Sequence, residues 1–544
     1  MSVAWFVTAE YSAVAAETKL HFVDVSAESG IGFHHSDGSS GRYYIIEYVA
    51  SGLALFDYDN DGDVDIYFLN GAKLPGNTQS SLPTNALYRN DGNWKFTDVT
   101  QLAGVGDAGH GLGVTAADYD GDGHRDLYIN NFGANVLYHN NGDGTFSNLT
   151  AAAGVGNGKR VGAGTSFFDA DRDGDLDLYV SNYIQFDFTK HTTRRRNGFT
   201  TYASPLDFPP DPDSLFRNNG DGTFTDISKE SGVGKPAGYG MGLVCSDYDN
   251  DGDVDLLVGN DTGANFLFVN DGTGHFSEDG LLAGFAYDGA GGIQGTMGVE
   301  CEDVDADGWF DVHVTSYQSE IATLYHNVRG SFEDVTSQSG VGQGTLVPVT
   351  WGNVLADFDN DGDRDLFIAC GHIYDNVDKF DSEGAYATRN LLFENQGGGR
   401  FVNVSDQAGP GLQSAFSSRG AAVDDLDNDG DLDIVVLNSR GRPTILRNEC
   451  TGGHHWLSLR LHGKPPNRDA VGARIVVTTN QRQYGEKRNG RGYQSYFGDR
   501  LHFGLKDQQR VESVEVLWPE LRNKPRQIQL LRDVPVDRVF DVQQ

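Results

Sequence analysis

The chain has 544 residues, with 41 Lys and Arg against 78 Asp and Glu and a formal net charge of −37 at pH 7. This excess of negative charge disfavours nucleic acid as a partner, because the phosphates would be repelled. No run of eighteen apolar residues occurs, so no transmembrane segment is predicted. The length suits one large domain with a second, smaller one.

The N-terminal residues 1–16 predict a signal or leader segment. They are mildly apolar and end in the small-residue run Ala13–Ala16, as at a signal-peptide cleavage site, although they lack basic residues and contain Glu10. The segment Phe22–Ser26, with the sequence FVDVS, then predicts a short strand.

From residue 57 onward one nine-residue pattern occurs seven times, with Asp at positions one, three, five and nine and Gly at position six. Carboxylates this close together repel one another unless a cation lies between them. Hard oxygen ligands at alternating positions suit Ca²⁺, which takes six to eight oxygens at roughly 2.3–2.6 Å. Position seven offers only a backbone carbonyl as a ligand common to all copies, because Trp309 has no side-chain oxygen. The pattern therefore predicts up to seven bound Ca²⁺ ions.

The predicted metal ligands fall into seven loops. They are Asp57, Asp59, Asp61, Asp63 and Asp65; Asp118, Asp120, Asp122, His124 and Asp126; Asp169, Asp171, Asp173, Asp175 and Asp177; Asp247, Asp249, Asp251, Asp253 and Asp255; Asp303, Asp305, Asp307, Trp309 and Asp311; Asp357, Asp359, Asp361, Asp363 and Asp365; and Asp425, Asp427, Asp429, Asp431 and Asp433.

Two other interpretations of these loops are weaker. Asp and Gly are ordinary turn residues, but seven copies with the same acidic spacing disfavour plain solvated turns. An EF-hand needs a bidentate Glu at position twelve, and that position is apolar in every copy, as at Phe68 and Val258.

Four short β-rich segments accompany each loop and predict a blade of a β-propeller. One lies before the loop and follows a Gly, such as Gly52; one follows the loop; a third ends in Asn, such as Asn90; and a fourth begins with Phe, such as Phe96. Repeats of this length with Gly, Asn and Asp turns predict a seven-bladed propeller over residues 17–450, with a parallel β-helix a distant alternative. The seventh repeat has no fourth segment, so we predict that Phe22–Ser26 supplies it and closes the ring.

The loops that vary most between the repeats are candidates for a binding surface. The third repeat contains a long insertion, Tyr183–Pro212, which includes the basic run Arg194–Arg196, and the sixth contains Gly371–Arg389. Loops on a rigid scaffold commonly carry binding residues.

The C-terminal part, residues 455–544, predicts a separate small domain, similar to a β-sandwich. It holds 16 Lys and Arg against 10 Asp and Glu, so its charge is opposite to that of the rest. This basic character is expected to serve docking against the acidic propeller or solvation, with an anionic ligand as the alternative. Cys245 and Cys301 are expected in the core, whereas pairing of Cys370 with Cys450 stays open.

These segments resemble known families. The loops and their strands resemble FG-GAP/VCBS calcium-propeller repeats, and the C-terminal part resembles the ASPIC/UnbV domain; the combination is typical of the cartilage acidic protein family and its bacterial relatives. The C-terminal similarity rests on Gly472–Ile475, Gly492–Ser495, Leu501–Leu505 and Val514–Pro519, with further matches at Gly30–His35 with Glu47 and at Gly371–Tyr374. The resemblance implies calcium binding and a secreted, cell-surface or periplasmic location.

No recognisable catalytic motif is found. His34, His35, Glu47, His454 and His455 could serve as acid–base or metal groups, but none lies in a nucleophile, zinc or phosphate motif. We therefore predict a calcium-binding recognition or adhesion module without catalytic activity, whose partner is an extracellular protein or glycan. The alternatives are a calcium-dependent carbohydrate-active enzyme with its site at the central opening of the propeller, and an architectural envelope protein.

Overall fold

The computed structural model describes residues 18–49, 51–78, 80 and 82–544, so the predicted leader at residues 1–16 lies outside the described part of the chain. Seven antiparallel blades of four strands follow one another around a ring, with the second and third blades joined by strand pairing at Arg160 and Gly133, and two further sheets form the C-terminal domain. The predicted all-β fold, a seven-bladed propeller followed by a small β-domain, is confirmed.

The blade strands are numbered along the chain. The first is β1 (Phe22–Asp24). Blade one contains β2 (Leu53–Phe56), β3 (Asp65–Phe68), β4 (Ala86–Asn90) and β5 (Phe96–Asp98). Blade two contains β6 (His110–Ala117), β7 (Asp126–Gly133), β8 (Val136–Asn140) and β9 (Phe146–Asn148). Blade three contains β10 (Arg160–Phe168), β11 (Asp177–Asn182), β14 (Ser214–Asn218) and β15 (Phe224–Asp226), with the inserted hairpin β12 (Thr193–Arg196) and β13 (Phe199–Tyr202).

The remaining blades repeat this order. Blade four contains β16 (Gly240–Ser246), β17 (Asp255–Gly263), β18 (Phe266–Asn270) and β19 (Phe276–Glu278), with the short β20 (Gln294–Gly295) beside β17. Blade five contains β21 (Val299–Glu302), β22 (Asp311–Val314), β23 (Thr323–Asn327) and β24 (Phe332–Asp334). Blade six contains β25 (Thr350–Ala356), β26 (Asp365–Cys370), β27 (Leu391–Asn395) and β28 (Phe401–Asn403). Blade seven contains β29 (Ser418–Asp424), β30 (Asp433–Asn438) and β31 (Thr444–Asn448).

The fourth strand of blade seven is β1, from the other end of the propeller. Phe22 pairs with Asn448 and Asp24 with Leu446. The Phe22 ring is fully buried and lies edge-on to Phe358, with the ring centroids 5.6 Å apart. The ring of blades is therefore closed by contacts between the two ends of the propeller sequence.

Helices are short. Single turns follow the fourth strand of blades one to five: α1 (Thr100–Ala103), α2 (Thr150–Ala153), α3 (Ser228–Ser231), α4 (Gly280–Ala283) and α5 (Thr336–Ser339). Five 3₁₀ turns occupy Ile45–Glu47, Phe188–Lys190, Pro205–Asp207, Val377–Lys379 and Pro410–Leu412. None of the helices in the described residues is long and apolar enough to cross a membrane.

The C-terminal domain consists of two sheets packed around one core. Its strands are β32 (His455–His462), β33 (Arg474–Thr478), β34 (Arg482–Glu486), β35 (Leu501–Lys506), β36 (Arg510–Leu517), β37 (Ile528–Pro535) and β38 (Arg538–Gln543). The sheet orders are β35-β32-β38 and β34-β33-β36-β37. Leu459 and Phe503 of the first sheet pack with Val477 and Val514 of the second.

The order of strands places the loops on two opposite faces of the ring. The seven acidic loops connect the first strand of each blade to the second, so they lie together on one face, here called the metal-loop face. The insertions Tyr183–Pro212 and Gly371–Arg389 connect second strands to third strands and lie on the other, the insertion face. The expected core positions of Cys245 and Cys301 are confirmed, and all four cysteines are free thiols, so Cys370 and Cys450 do not pair.

Candidate metal loops and binding face

Backbone amides close each acidic loop around its first carboxylate. In blade one, Asp57 accepts hydrogen bonds from the backbone N–H of Asp61 (3.1 Å) and of Gly62 (2.9 Å), and the fifth-position Asp61 accepts from the N–H of Asp63 (2.9 Å). Gly62 has a φ of 98°, a backbone conformation that glycine adopts without strain. These backbone hydrogen bonds hold the carboxylates at positions one and five toward the inside of the turn.

The ninth-position Asp fixes the loop to the blade. Asp65 is fully buried, and its two oxygens accept the backbone N–H of Tyr58 (3.0 Å) and of Asn90 (2.8 Å). A carboxylate oxygen has two lone pairs, so each oxygen retains acceptor capacity that could serve a cation.

The Asn that ends each third strand links neighbouring loops. Its side-chain amide donates to the position-two carbonyl of the preceding blade's loop at 2.7–2.9 Å. The seven links are Asn90 to Leu426, Asn140 to Tyr58, Asn218 to Tyr119, Asn270 to Ala170, Asn327 to Tyr248, Asn395 to Val304 and Asn448 to Phe358. These contacts form a closed circle, so each loop is positioned by the blade beside it.

In blades one and seven the position-seven side chain contacts a neighbouring loop. The Asp63 carboxylate accepts from the side-chain amide of Asn428 at 2.7 Å, and Asp431 accepts from Asn360 at 2.8 Å. The position-seven side chain in these loops thus belongs to a contact between loops, which leaves its carbonyl as the group available to its own loop.

The electrostatics of the loops favour a bound cation. Burial raises the pKa of Asp118 to about 8, and the nearby Asp469 carboxylate adds to the shift. Burial also raises the pKa of Asp357 to about 8, with repulsion from Asp359 as the next cause. Such shifts mean that the ionised carboxylates are poorly solvated and lack enough positive charge around them.

Several loop oxygens are buried without a hydrogen-bond partner. They are Oδ1 of Asp171, Oδ1 of Asp247, Oδ1 of Asp253, Oδ2 of Asp255 and Oδ1 of Asp427. Buried carboxylate oxygens without donors are costly, whereas a hard divalent cation would coordinate them. The residues present therefore fit the Ca²⁺ expected from the sequence.

The C-terminal domain docks against the metal-loop face and leaves the fifth-position Asp of most loops, such as Asp61 and Asp122, exposed. Arg500 donates to the Gly62 carbonyl at 3.2 Å, Asp469 accepts the Asp118 N–H at 2.8 Å, and Lys506 lies 3.2 Å from Asp361. Arg474 lies 3.4 Å from Asp247 in blade four, and the backbone N–H of Arg522 donates to the Arg172 carbonyl in blade three. The basic surface expected to dock on the acidic propeller does so.

A loop of the same domain fills the centre of the ring. Residues 488–497 lie within the connection between β34 and β35, and we call them the plug. The backbone of Gly492 exchanges hydrogen bonds with Val299 of blade five (2.8 and 3.2 Å). Tyr496 does the same on the far side of the ring, accepting from Leu55 and donating to Leu53 of blade one (both 2.9 Å). The central opening, where an enzyme site was one expectation, is occupied by this segment.

Buried charge pairs anchor the plug. Arg491 lies 2.9 Å from Glu300 and 2.7 Å from Glu302 of blade five, and Arg488 lies 3.3 Å from Glu302. A Cβ at Gly52 would lie 1.6 Å from the Gln494 carbonyl oxygen, so the Gly before the first strand is required here by the approach of the plug. At Gly113 the close neighbour is instead the Ala163 carbonyl of the next blade, at 2.0 Å.

The insertion face carries a cluster of aromatic and charged side chains. Tyr202 lies edge-on to Tyr43 (5.2 Å) and stacks with Tyr374 (6.1 Å), and the Arg196 guanidinium lies 5.4 Å from the Tyr374 ring centre. Tyr202 donates to Glu47 at 3.0 Å. Burial raises the pKa of Glu47 to about 7, and its Oε1 is buried without a partner.

The candidate acid–base residues are not brought together. His35 is buried on the insertion side with its Nε2 2.9 Å from the Ser51 hydroxyl, and burial lowers its pKa to about 3. His34 Nδ1 lies 3.0 Å from the His35 carbonyl. His454 contacts the Asp359 carbonyl at 2.9 Å on the metal-loop face, and His455 pairs with Asp537 of the C-terminal domain at 2.8 Å.

In the sequence the third-strand Asn is recognisable as the end of a strand, but the residue before it has no assigned role. That preceding residue is His139 in blade two and His326 in blade five. Both imidazoles point into the acidic loop of their own blade, with Nδ1 3.1 Å from Asp126 and 2.9 Å from Asp311. The recurrence of His at the same place in two repeats was the signal available in the sequence.

Comparison with known families and proteins agrees with this architecture. The FG-GAP-like repeat family matches residues 57–129, 118–180, 203–258, 247–314, 303–368 and 357–436, and the ASPIC and UnbV family matches residues 463–544. Cartilage acidic protein 1 of Xenopus tropicalis is 26% identical over 529 residues, covering 89% of this chain and 64% of that protein. The human protein of that name is 26% identical over 499 residues, covering 86% and 68%. The chain thus spans 64% and 68% of the length of these two relatives.

Solved structures resemble the chain more distantly. A Burkholderia pseudomallei lectin, BP39L, aligns with a TM-score of 0.42 and 10% identity, covering 74% of this chain and 95% of that one. A structure of YCF48 bound to D1 peptide gives a TM-score of 0.39 and 8% identity, covering 72% and 89%. From the repeats and the C-terminal match together, the chain belongs to the FG-GAP-like repeat family and carries a C-terminal ASPIC and UnbV domain.

Proposed function

We propose that this protein is a calcium-binding recognition or adhesion module of the extracellular, cell-surface or periplasmic space, which binds its partner through the insertion face without chemical turnover. The proposal rests on the observation that other parts of the chain already occupy the remaining surfaces along the axis of the ring. The plug fills the central opening, and the C-terminal domain docks on the metal-loop face. The insertion face remains as the axial surface free for a partner.

The chemistry of the insertion face supports binding. Phe188 and Phe199 are 37% and 40% exposed, although large apolar side chains are usually buried. Arg194, Arg195 and Arg196 form an exposed strand of the inserted hairpin beside Phe199. Aromatic and Arg side chains dominate the binding energy of many protein interfaces, and both also suit glycans. The partner class is therefore an extracellular protein or glycan.

Calcium has a structural role in this proposal. The loops contact the C-terminal domain and lie on the face opposite the insertions, so bound ions would stiffen the ring and its docked domain without touching the partner. The raised pKa values of Asp118 and Asp357, caused mainly by burial, and the unpartnered loop oxygens support this role.

The test measures binding and turnover together. Purified protein with Ca²⁺ is screened against arrays of glycans and extracellular matrix proteins, and hits are repeated with the double variant Arg195→Ala/Phe199→Ala. A matched control is Arg510→Ala/Ile528→Ala, which removes an exposed Arg and an exposed apolar residue from the C-terminal domain. We expect loss of binding only for the insertion-face variant.

Two outcomes would contradict the proposal. Loss of binding in the control but not in the insertion-face variant would place the partner on the C-terminal domain. Release of reducing ends or unsaturated sugars from a polysaccharide would establish an enzyme and overturn the absence of turnover.

A further inference from the structure

The residue before the third-strand Asn differs from blade to blade and lies beside the acidic loop. In chain order it is Arg89, His139, Arg217, Val269, His326, Glu394 and Arg447. Histidine occurs only in blades two and five. These are also the two blades whose loop has four Asp residues instead of five, because position seven is His124 or Trp309.

In blade two the imidazole lies among three loop carboxylates. His139 Nδ1 is 3.1 Å from Asp126 and 3.3 Å from Asp120, and Nε2 is 3.9 Å from Asp122. The Tyr119 ring lies edge-on to the imidazole, with the ring centroids 6.5 Å apart. Asp126 itself is fully buried and fixed by the backbone N–H of Tyr119 and of Asn140.

Blade five repeats this arrangement with different surrounding residues. His326 Nδ1 is 2.9 Å from Asp311 and 3.5 Å from Asp305. Asp311 is fully buried and accepts the backbone N–H of Val304 and of Asn327. In both blades one atom from the His and one from each of two Asp residues lie within 4.8 Å of one another. The same arrangement of one imidazole and two carboxylates thus occurs in both blades, and in each blade the ninth-position Asp is held by backbone hydrogen bonds.

The donor set is unlike that of the other loops. Ca²⁺ binds oxygen ligands, whereas imidazole is a preferred ligand of Zn²⁺ and of other first-row transition ions. Donor atoms around one Zn²⁺ lie roughly 3.0–3.5 Å apart when each is about 2.0–2.2 Å from the metal. Three of the four distances from Nδ1 to the carboxylate oxygens, 3.1, 3.3 and 3.5 Å, fall in this range, and the fourth, 2.9 Å in blade five, lies just below it.

We propose that the loops of blades two and five are mixed imidazole–carboxylate sites that bind a transition-metal dication of the Zn²⁺ or Mn²⁺ class, while the other five loops bind Ca²⁺. In blade two the ligands are Nδ1 of His139 with the carboxylates of Asp120 and Asp126; His326, Asp305 and Asp311 are their equivalents in blade five.

Surface His–Asp pairs of this protein lack the features of these two sites. His462 lies 2.7 Å from Asp541, a single carboxylate that is 54% exposed. The pair has no second fixed carboxylate and no buried anchor. It therefore provides an internal standard for nonspecific metal binding.

The proposal rests on the loops binding cations, so its test counts both metals. The metal-stripped full chain is dialysed against Ca²⁺ in large excess over Zn²⁺, and bound metals are measured by plasma mass spectrometry. We expect two Zn²⁺ and five Ca²⁺ per chain, one Zn²⁺ after either His139→Gln or His326→Gln, and none after both. The control His462→Gln should retain two. Circular dichroism melts verify that each variant is folded.

A measurement on the unaltered protein does not depend on how the variants fold. With Mn²⁺ as the probe, electron spin echo modulation from an imidazole ¹⁴N is expected. Seven Ca²⁺ with no Zn²⁺, absence of ¹⁴N modulation, or equal Zn²⁺ in the double variant would overturn this inference and leave the calcium proposal standing. Absence of any cation from the chain would overturn both.

Discussion

The circle of Asn side chains around the metal-loop face gives the sharpest test of how the loops are held. Asn218 is 4% exposed, and its amide donates to the carbonyls of Tyr119 (2.9 Å) and Leu176 (3.1 Å), while its Oδ1 accepts the N–H of Gly220 (3.0 Å). Replacing Asn218 with Ala removes all three hydrogen bonds and leaves three backbone groups without that partner.

The expected cost follows from those three groups. Leaving one buried polar group unsatisfied costs about 1–3 kcal/mol. Because water can reach some of the three groups, we expect Asn218→Ala to lower the free energy of unfolding by about 3–5 kcal/mol. Since Tyr119 is position two of the blade-two loop and Leu176 is position eight of the blade-three loop, metal affinity should fall in both blades. If the substitution acted only locally, metal affinity would fall in blade three alone.

The assay compares denaturant midpoints with Ca²⁺ present, together with the number of bound ions. The neighbouring residue provides the control, because Asn219 is exposed and bonds only to Thr223 and Thr225 through its side chain. Asn219→Ala should cost less than about 1 kcal/mol, as exposed polar substitutions usually do. Equal midpoints for Asn218→Ala and Asn219→Ala would refute the reasoning.

Three further predictions concern the ions, the closing strand and one buried acid. Chelation should lower the melting temperature strongly, because seven sites at tenfold ligand excess contribute about 10 kcal/mol together; an unchanged midpoint would contradict the metal assignment. Phe22→Ala should cost about 3–5 kcal/mol by emptying a buried position in the closing strand, whereas Val23→Ala, on the half-buried side, should cost clearly less. The free energy of unfolding of Glu47→Gln, relative to that of the unaltered protein, should increase as the pH rises from 5 to 8. Burial is the main reason that the pKa of Glu47 is raised to about 7. The protonated carboxyl therefore contributes fully to folding stability below the unfolded-state pKa, and this contribution is lost as the pH rises through 7. Melts of both proteins that shift in parallel with pH would contradict this.

Much of this protein is encoded locally. The nine-residue pattern closes its own turn, since the amides of Asp61 and Gly62 bond to Asp57 within the same loop. Period-two strands and Gly or Asn turns then predict a blade, and seven copies predict a ring. The FVDVS segment resembles a fourth strand, and its pairing with β31 follows from that resemblance once the ring is formed.

The sequence does not predict contacts between distant segments that lie outside the repeat pattern. The opposite charges of the two domains predicted docking, but nothing local indicates that Gly492 and Tyr496 would pair with inner strands of blades five and one. In the same way, His139 is an ordinary strand residue until its blade folds and brings the imidazole to Asp120 and Asp126. Local hydrogen bonding and side-chain alternation determine strands and turns, whereas closure of the ring decides which distant backbone edges and side chains meet. The filling of the channel by the plug and the contact of each imidazole with its acidic loop were therefore decided by the tertiary structure.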